Sequence, residues 1–214
     1  MTAMDMIKIT VNLVVIYLIG GLVMAVVYSK TSPILFKKME EEKKAALKTM
    51  ITEADDIVKI GDWHPHEKHA EYYAAKKCGE VKVREVTDEK TGEMVEEKEC
   101  INPEDIGYIV EGYGKGYSSY IHVLASVDKG FLLKKVSILG HGETPGLGDE
   151  IEKDYFLGQF EGKNADNLVV IKGETTEQIE AITGATISTR AVTEDGVKNG
   201  VLMLQEKLSG EVQE

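Results

Sequence analysis

The sequence predicts an α+β fold: a single N-terminal transmembrane helix followed by a domain with an antiparallel sheet flanked by helices. Three observations carry this. Residues 9–29, between Lys8 and Lys30, form an uninterrupted uncharged run of 21 residues. The middle of the chain alternates apolar and polar residues in short segments broken by turn signals, the pattern of half-buried strands. Near the C-terminus, Val197, Val201, Leu204 and Leu208 recur at helical spacing, the buried stripe of a helix. The chain has 214 residues, 43% of them hydrophobic, enough for one domain core in addition to the apolar run. Its net charge of −12 speaks against nucleic acid, which calls for a basic patch. Two cysteines cannot hold a four-thiolate iron–sulfur cluster.

The apolar run is long enough to cross a hydrocarbon core roughly 30 Å thick. Tyr28 stands near one end, where an aromatic belt would place it. The rival reading is a cleaved signal peptide, which needs a shorter apolar core and a small-x-small site; none is evident in MAVVYSK. Gly20, Gly21 and Ala25 would let another membrane helix approach closely, although glycine is common in such helices. Lys30, Lys37, Lys38 and Lys43 follow the run, and the positive-inside rule alone would put the large domain in the cytoplasm. The expected organisation is a tail and membrane helix over residues 1–30, a stalk and linker over 31–60, and the main domain over 61–214.

Ser32-Pro33 fits an N-cap followed by proline at the first helical position, so a separate stalk helix is expected from there to about Ala54. The next segment holds the only Trp, Trp63, and the histidines His64, His66 and His69. Three histidines in six residues admit a metal site, but no carboxylate–histidine pattern fixes a geometry, and Pro65 suits an exposed loop. Residues 81–87 and 94–99 alternate around Asp88, Glu89, Lys90, Thr91 and Gly92, a hairpin signal. Cys78 and Cys100 then fall nearly opposite each other. They would pair as a disulfide outside the cytoplasm and stay as two thiols within it. Strands are expected over 106–111, 119–127, 132–139, 168–171 and 179–182. A short helix is expected over 149–160 and a final helix over 188–208. Gly196 and Gly200, about one turn apart, would let that last helix pack closely on the sheet.

Two segments are too rich in special residues to be plain loops. Residues 141–148, HGETPGLG, combine three glycines and a proline with Glu143, Thr144 and Leu147. Such a path brings backbone N–H groups close to a ligand, and the side chains would suit the face and edge of a flat ring. A structural turn is the alternative. Residues 183–190, TGATISTR, open the last helix, where exposed N–H groups and the helix dipole favour an anion such as phosphate, with the Thr186 hydroxyl at hand. The alternative there is an ordinary Ser/Thr N-cap. The glycine-rich residues 112–119 precede a strand, lack phosphate-loop geometry, and are given a supporting role.

The two motifs, HGETPGLGDEI over residues 141–151 and EAITGATISTRAV over 180–192, follow a single anchor in this order. In this they resemble the FMN-binding G subunit of Rnf electron-transport complexes, and are similar to the C subunit of the sodium-translocating NADH:quinone reductase. The resemblance spans nearly the whole chain. It implies FMN joined by a phosphodiester to the last Thr of a Ser/Thr-Gly-Ala-Thr sequence, here Thr186, by a separate flavin transferase that uses FAD. By the same match Thr183, Gly184 and Ala185 shape the attachment turn, Glu143, Thr144 and Leu147 lie against the flavin ring, and Lys172 lies near the cofactor. Glu180 stands where the family has Asp. The resemblance also implies an extracytoplasmic flavin domain, in agreement with a disulfide and against the lysine count. Its implied partners are membrane lipid, the other subunits of an ion-translocating ferredoxin:NAD oxidoreductase, and the transferase. The alternatives are the quinone-reductase subunit, a membrane-anchored flavin sensor, and a structural subunit without flavin.

Overall fold

The computed structural model describes residues 3–87 and 94–210. The chain divides into two compact units, Met1–Lys44 and Ala45–Glu214. Helix α1 runs from Ala3–Met50. Its apolar stretch, with a mean hydropathy of 2.4, is long and apolar enough to cross a membrane, and that stretch is not buried within the protein.

Contrary to expectation, Ser32-Pro33 does not start a new helix; Pro33 lies inside α1, which continues through it. Proline removes one N–H and disfavours the turn before it, at a cost of about 3 kcal/mol. The following Lys-, Glu-, Ala- and Leu-rich stretch propagates helix well enough to carry that loss. The Lys44–Glu40 pair at 2.8 Å, one turn apart, supports the same segment. The helix ends at Met50 rather than near Ala54, and the first strand begins at Asp56.

Five strands form one sheet in sequence order: β1 Asp56–Trp63, β2 Ala70–Thr87, β3 Met94–Lys115, β4 Tyr120–Asp128 and β5 Leu133–Gly140. All neighbours are antiparallel, as each short connection permits. The expected strands over 81–87 and 94–99 are the far ends of β2 and β3, while the turn expected over 88–92 lies outside the described residues. Cys78 and Cys100 form a disulfide with a Cα–Cα distance of 5.3 Å. They are not direct ladder partners: Cys78 is paired with Pro103 and Cys100 with Val81. A smaller pair, β6 Val170–Ile171 and β7 Ile179–Glu180, is parallel. The helix expected over 149–160 is broken into 3-10 turns around a single α turn, α2 Asp154–Leu157.

Alternation along the strands sends two sets of side chains to two faces. On one, Tyr72, Val110, Ile121, Val123 and Ala125 join Phe156, Phe160 and the C-terminal helix in the main core. On the other, Tyr73, Ile109 and Leu124 pack against Leu47 and Met50 from the end of α1. The last carbonyls of α1 lack helical partners. Lys135 Nζ donates to Thr49 O at 3.0 Å, and Ser126 Oγ to Met50 O at 3.1 Å.

The C-terminal helical run starts as α3 Thr186–Arg190, widens to a π-helical segment over Ala191–Lys198, and ends as α4 Asn199–Gly210. It lies backbone against backbone on β3. A Cβ on Gly114 would come within 1.8 Å of Ala191 O, and one on Gly112 within 2.3 Å of Gly196 O. Gly196 and Gly200 face the side chains of Val123 on β4 and Val110 on β3. Gly112 and Gly114 are therefore required by packing, which sets the height of the helix start over the sheet.

Candidate functional site

The start of α3 faces the loop after β5 across a cavity of about 380 Å³. Ten residues line it: Tyr117, Glu143, Thr144, Leu147, Gly148, Gly184, Ala185, Thr186, Ile187 and Ser188. Both glycine-bearing segments singled out in the sequence thus meet at one place.

Each wall has a local cause. Before α3, the Ala185 N–H donates to Ile182 O at 3.0 Å, and Gly184 takes φ +82°, a conformation glycine adopts without strain. A Cβ on Gly184 would also stand 2.9 Å from the Leu147 side chain. Buried Thr189 locks this turn: its Oγ1 accepts from Ile182 N at 3.2 Å and donates to Ala185 O at 2.9 Å. Ala185 is the N-cap residue and brings no capping side chain. The first N–H groups of the helix are therefore available to an anion, and Thr186 is the first helical residue. The opposite wall is a turn in which Leu147 N and Gly148 N both reach Thr144 O, at 3.2 and 2.9 Å, with Gly146 at φ +72°.

Glu143 ties the two walls together. Its buried carboxylate accepts from the backbone N–H groups of Tyr117, Ser118 and Ser119 at 3.1, 3.0 and 3.3 Å, and from the Ser188 hydroxyl. Burial pushes its pKa up. The Ser188 hydroxyl and the three N–H donors outweigh that, and the carboxyl is held below its ordinary value. Behind it, His141 Nδ1 accepts from Glu143 N at 3.1 Å and Nε2 lies 3.0 Å from Glu152, so the ring proton belongs on Nε2.

Of the residues expected from sequence, Glu143, Thr144, Leu147, Gly184, Ala185 and Thr186 line this one cavity. Thr183 and Lys172 are exposed and do not line it. Tyr117, Ile187 and Ser188 are additions that the sequence reading missed. Tyr117 and Ile187 are exposed at the rim, and Ser188 is buried as the carboxylate's fourth donor. The signal for Tyr117 was the Gly-rich segment 112–119, whose last residues turn out to wrap the Glu143 carboxylate.

The three early histidines do not meet at one point. The His64 ring lies 5.5 Å from that of His69, while His66 faces Tyr120 at 5.7 Å. His69 does sit with Asp62 and Glu71 in a group of metal-ligand type. The Lys59 ammonium already lies between those carboxylates, 2.7 Å from Asp62 and 2.6 Å from Glu71.

The lining fits a flat ring with an anionic tail. Leu147, Ile187 and Tyr117 supply apolar surface, Thr144 and backbone groups supply polar edges, and an uncapped helix start supplies donors. Residues 116–201 match the family model of the FMN-binding domain. Over 197 residues the chain is 34% identical to the G subunit of the proton-translocating ferredoxin:NAD(+) oxidoreductase complex of Clostridium ljungdahlii, covering 90% of this chain and 88% of that one. The chain belongs to this G-subunit family. A second member, the G subunit of the ion-translocating oxidoreductase complex of Methanosarcina acetivorans, is 28% identical over 86% of this chain and 87% of its own. Among solved structures, the C subunit of the Na(+)-translocating NADH-quinone reductase from Parabacteroides distasonis aligns at a TM-score of 0.49 and 19% identity, over 78% of this chain and 92% of that one. In this G-type subunit, the matched FMN-binding segment begins at Gly116 and includes every residue that lines the cavity.

Proposed function

We propose that this G-type subunit relays electrons within a membrane-bound, ion-translocating ferredoxin:NAD oxidoreductase of the Rnf type, through FMN held in the Glu143–Thr186 cavity. The observation that carries the reading is the convergence of the two motifs on one cavity whose floor is a helix start with Thr186 as its first residue. When bound, the flavin supplies transfer of electrons singly or in pairs. The protein supplies position, shielding and charge.

The attachment is a phosphodiester. Thr186 would hold the group through its hydroxyl oxygen, joined to the FMN-side phosphorus of FAD with loss of the hydroxyl proton and release of AMP, on a separate flavin transferase. The uncapped start of α3 would hold the phosphate, since its dipole and first N–H groups favour negative charge. Gly184 and Ala185 leave room beside it, and Leu147 offers a face to the ring. Glu180, on β7, keeps a carboxylate at the position where the family carries Asp, and its backbone N–H is held by the Gln159 side chain at 2.7 Å. Thr183 belongs to the surface of the attachment turn, and Lys172, exposed just after β6, is assigned near the cofactor by the family match alone.

The domain stands on the extracytoplasmic side, anchored in lipid by α1 and associated with the other subunits of the complex. The Cys78–Cys100 disulfide supports that side, since such bonds persist in oxidising compartments. Covalent attachment suits it too, because a dissociated flavin could not be replaced there.

The test is co-expression with a flavin transferase, denaturing electrophoresis and in-gel flavin fluorescence. A fluorescent wild-type band and a dark Thr186→Ala band are expected. A dark wild-type band would remove the covalent link, and a fluorescent Thr186→Ala band would move it to another residue.

A further inference from the structure

The Glu143 carboxylate has more partners than a ligand-binding group needs. Oε1 accepts from the Ser118 and Ser119 N–H groups; Oε2 accepts from the Tyr117 N–H and the Ser188 hydroxyl. An ionised carboxylate offers about four lone-pair sites, and the protein fills that number itself. Glycines close in around it. A Cβ on Gly116 would come within 2.5 Å of Oε1, and one on Gly148 within 3.0 Å of Oε2. Only 6% of the residue is exposed, yet it lines the cavity. Glu143 therefore cannot accept a hydrogen bond from a ligand without surrendering one from its own fold. What it offers the cavity is charge.

Nothing among the lining side chains offsets that charge, since none of the ten is a lysine or arginine. The start of α3 also lines the cavity, but its partial positive charge would be taken up by the phosphate end of the proposed flavin. An electron arriving from a redox partner adds one negative charge to the cavity. That charge meets the fixed carboxylate in a partly water-excluded site, where repulsion is stronger than in bulk water. The added charge either stays or is neutralised by one proton from solvent, and the carboxylate favours the second course.

Resting on the flavin reading, we propose that Glu143 is a potential-setting positioning residue. It holds the cavity's redox group at a low reduction potential through a fixed negative charge, and makes no hydrogen bond to that group. Ser188 acts through it as a neutralising donor. The lowered pKa of Glu143 fits this, because the charge is then present at all ordinary working pH values.

The test uses the full chain in detergent, loaded with FMN by the transferase, and reads the flavin midpoint by spectroelectrochemical titration. Glu143→Gln removes the charge at nearly constant size, and its amide oxygen keeps one of the two accepting positions. Its oxidised–reduced equilibrium is expected to shift at least tenfold toward reduction, about 59 mV more positive for one electron. Ser188→Ala keeps the charge and removes one donor from it. Its midpoint is expected to move the other way, by a smaller amount. A Glu143→Gln protein that loads flavin normally and keeps the wild-type midpoint would overturn the proposal. If Glu143→Gln does not load, Ser188→Ala decides: a more negative midpoint supports the fixed charge, and an unchanged or more positive one overturns it. A wild type without flavin fluorescence fails at the earlier step, and removes the flavin reading together with this one.

Discussion

Glu143, in the loop after β5, and Glu111, on β3, are both buried, and they are held differently. At the end of the sheet, Glu143 is held by three backbone N–H groups and one hydroxyl. On the sheet's other face, Glu111 is 2% exposed. It takes the Tyr73 hydroxyl at 3.1 Å and has His122 Nε2 at 3.3 Å. The donors of Glu143 are mostly backbone and do not titrate. The contacts of Glu111 include two side chains, one of which is charged only when protonated, while the Tyr73 hydroxyl also serves Glu71. The difference teaches that a buried carboxylate becomes a constant of the fold when the backbone satisfies it. When side chains satisfy it, the arrangement can adjust.

The harshest way to break this comparison is to delete both carboxylates in turn. Glu143→Ala removes the shared acceptor of three part-buried N–H groups and the buried Ser188 hydroxyl, each hydrogen bond to the charged group being worth about 1.5–3 kcal/mol. A loss of at least about 4 kcal/mol is expected in denaturant unfolding of the detergent-solubilised chain. Glu111→Ala, whose partners can re-pair, is expected to cost about half of that. Equal losses would end the distinction. Next in size is Gly116→Ala, which forces a Cβ against the Glu143 carboxylate and Ser119 O. About 2–3 kcal/mol is expected, within the usual range for overpacking, with a visible change in flavin loading.

Smaller substitutions sharpen the comparison. Ser188→Ala removes the one side-chain donor of Glu143 and is expected to cost about 2 kcal/mol, typical of a hydrogen bond to a charged group. Tyr73→Phe is expected to cost about 1 kcal/mol. A larger loss for Tyr73→Phe would show that the side-chain network is the stiffer of the two. The smallest effect is in acid. Glu143 has a folded pKa below its ordinary 4.5. Its stabilising contribution is complete above about that pH and is lost as pH falls through the lower folded value. Thermal melts of Glu143→Gln should therefore lose less stability than wild type as pH falls below the ordinary 4.5. Parallel pH profiles would count against a lowered Glu143.

Much of the fold could be read from the residues because it follows local rules. The uncharged run, the alternation in β4 and β5 and the stripe of Val197, Val201 and Leu204 each have one favourable burial solution. Pro33 misled because a proline marks a helix start only when its surroundings do not already propagate helix. The segment after residue 148 misled because its apolar residues Ile151, Phe156 and Phe160 suit a single helix as well as the linked turns that form. The candidate site was legible in its two glycine-bearing motifs, whose unusual composition is local. Tyr117, Ser188 and the packing role of Gly112 and Gly114 were not. They depend on contacts between segments far apart in the chain, and no spacing rule contains these.

The Glu143 clamp also has a temporal consequence. It joins partners 24 to 45 residues apart, so it cannot close until β4 and β5 have paired and the C-terminal helix has docked. Contacts of such sequence separation pay loop-closure entropy first and form after local structure. The cavity that Thr186 lines is therefore assembled late, although its own turn is local. An enzyme that recognises the assembled cavity by shape would act as an inspector of folding, modifying finished domains and passing over nascent ones. Flavin content would then record how many copies had reached the native state.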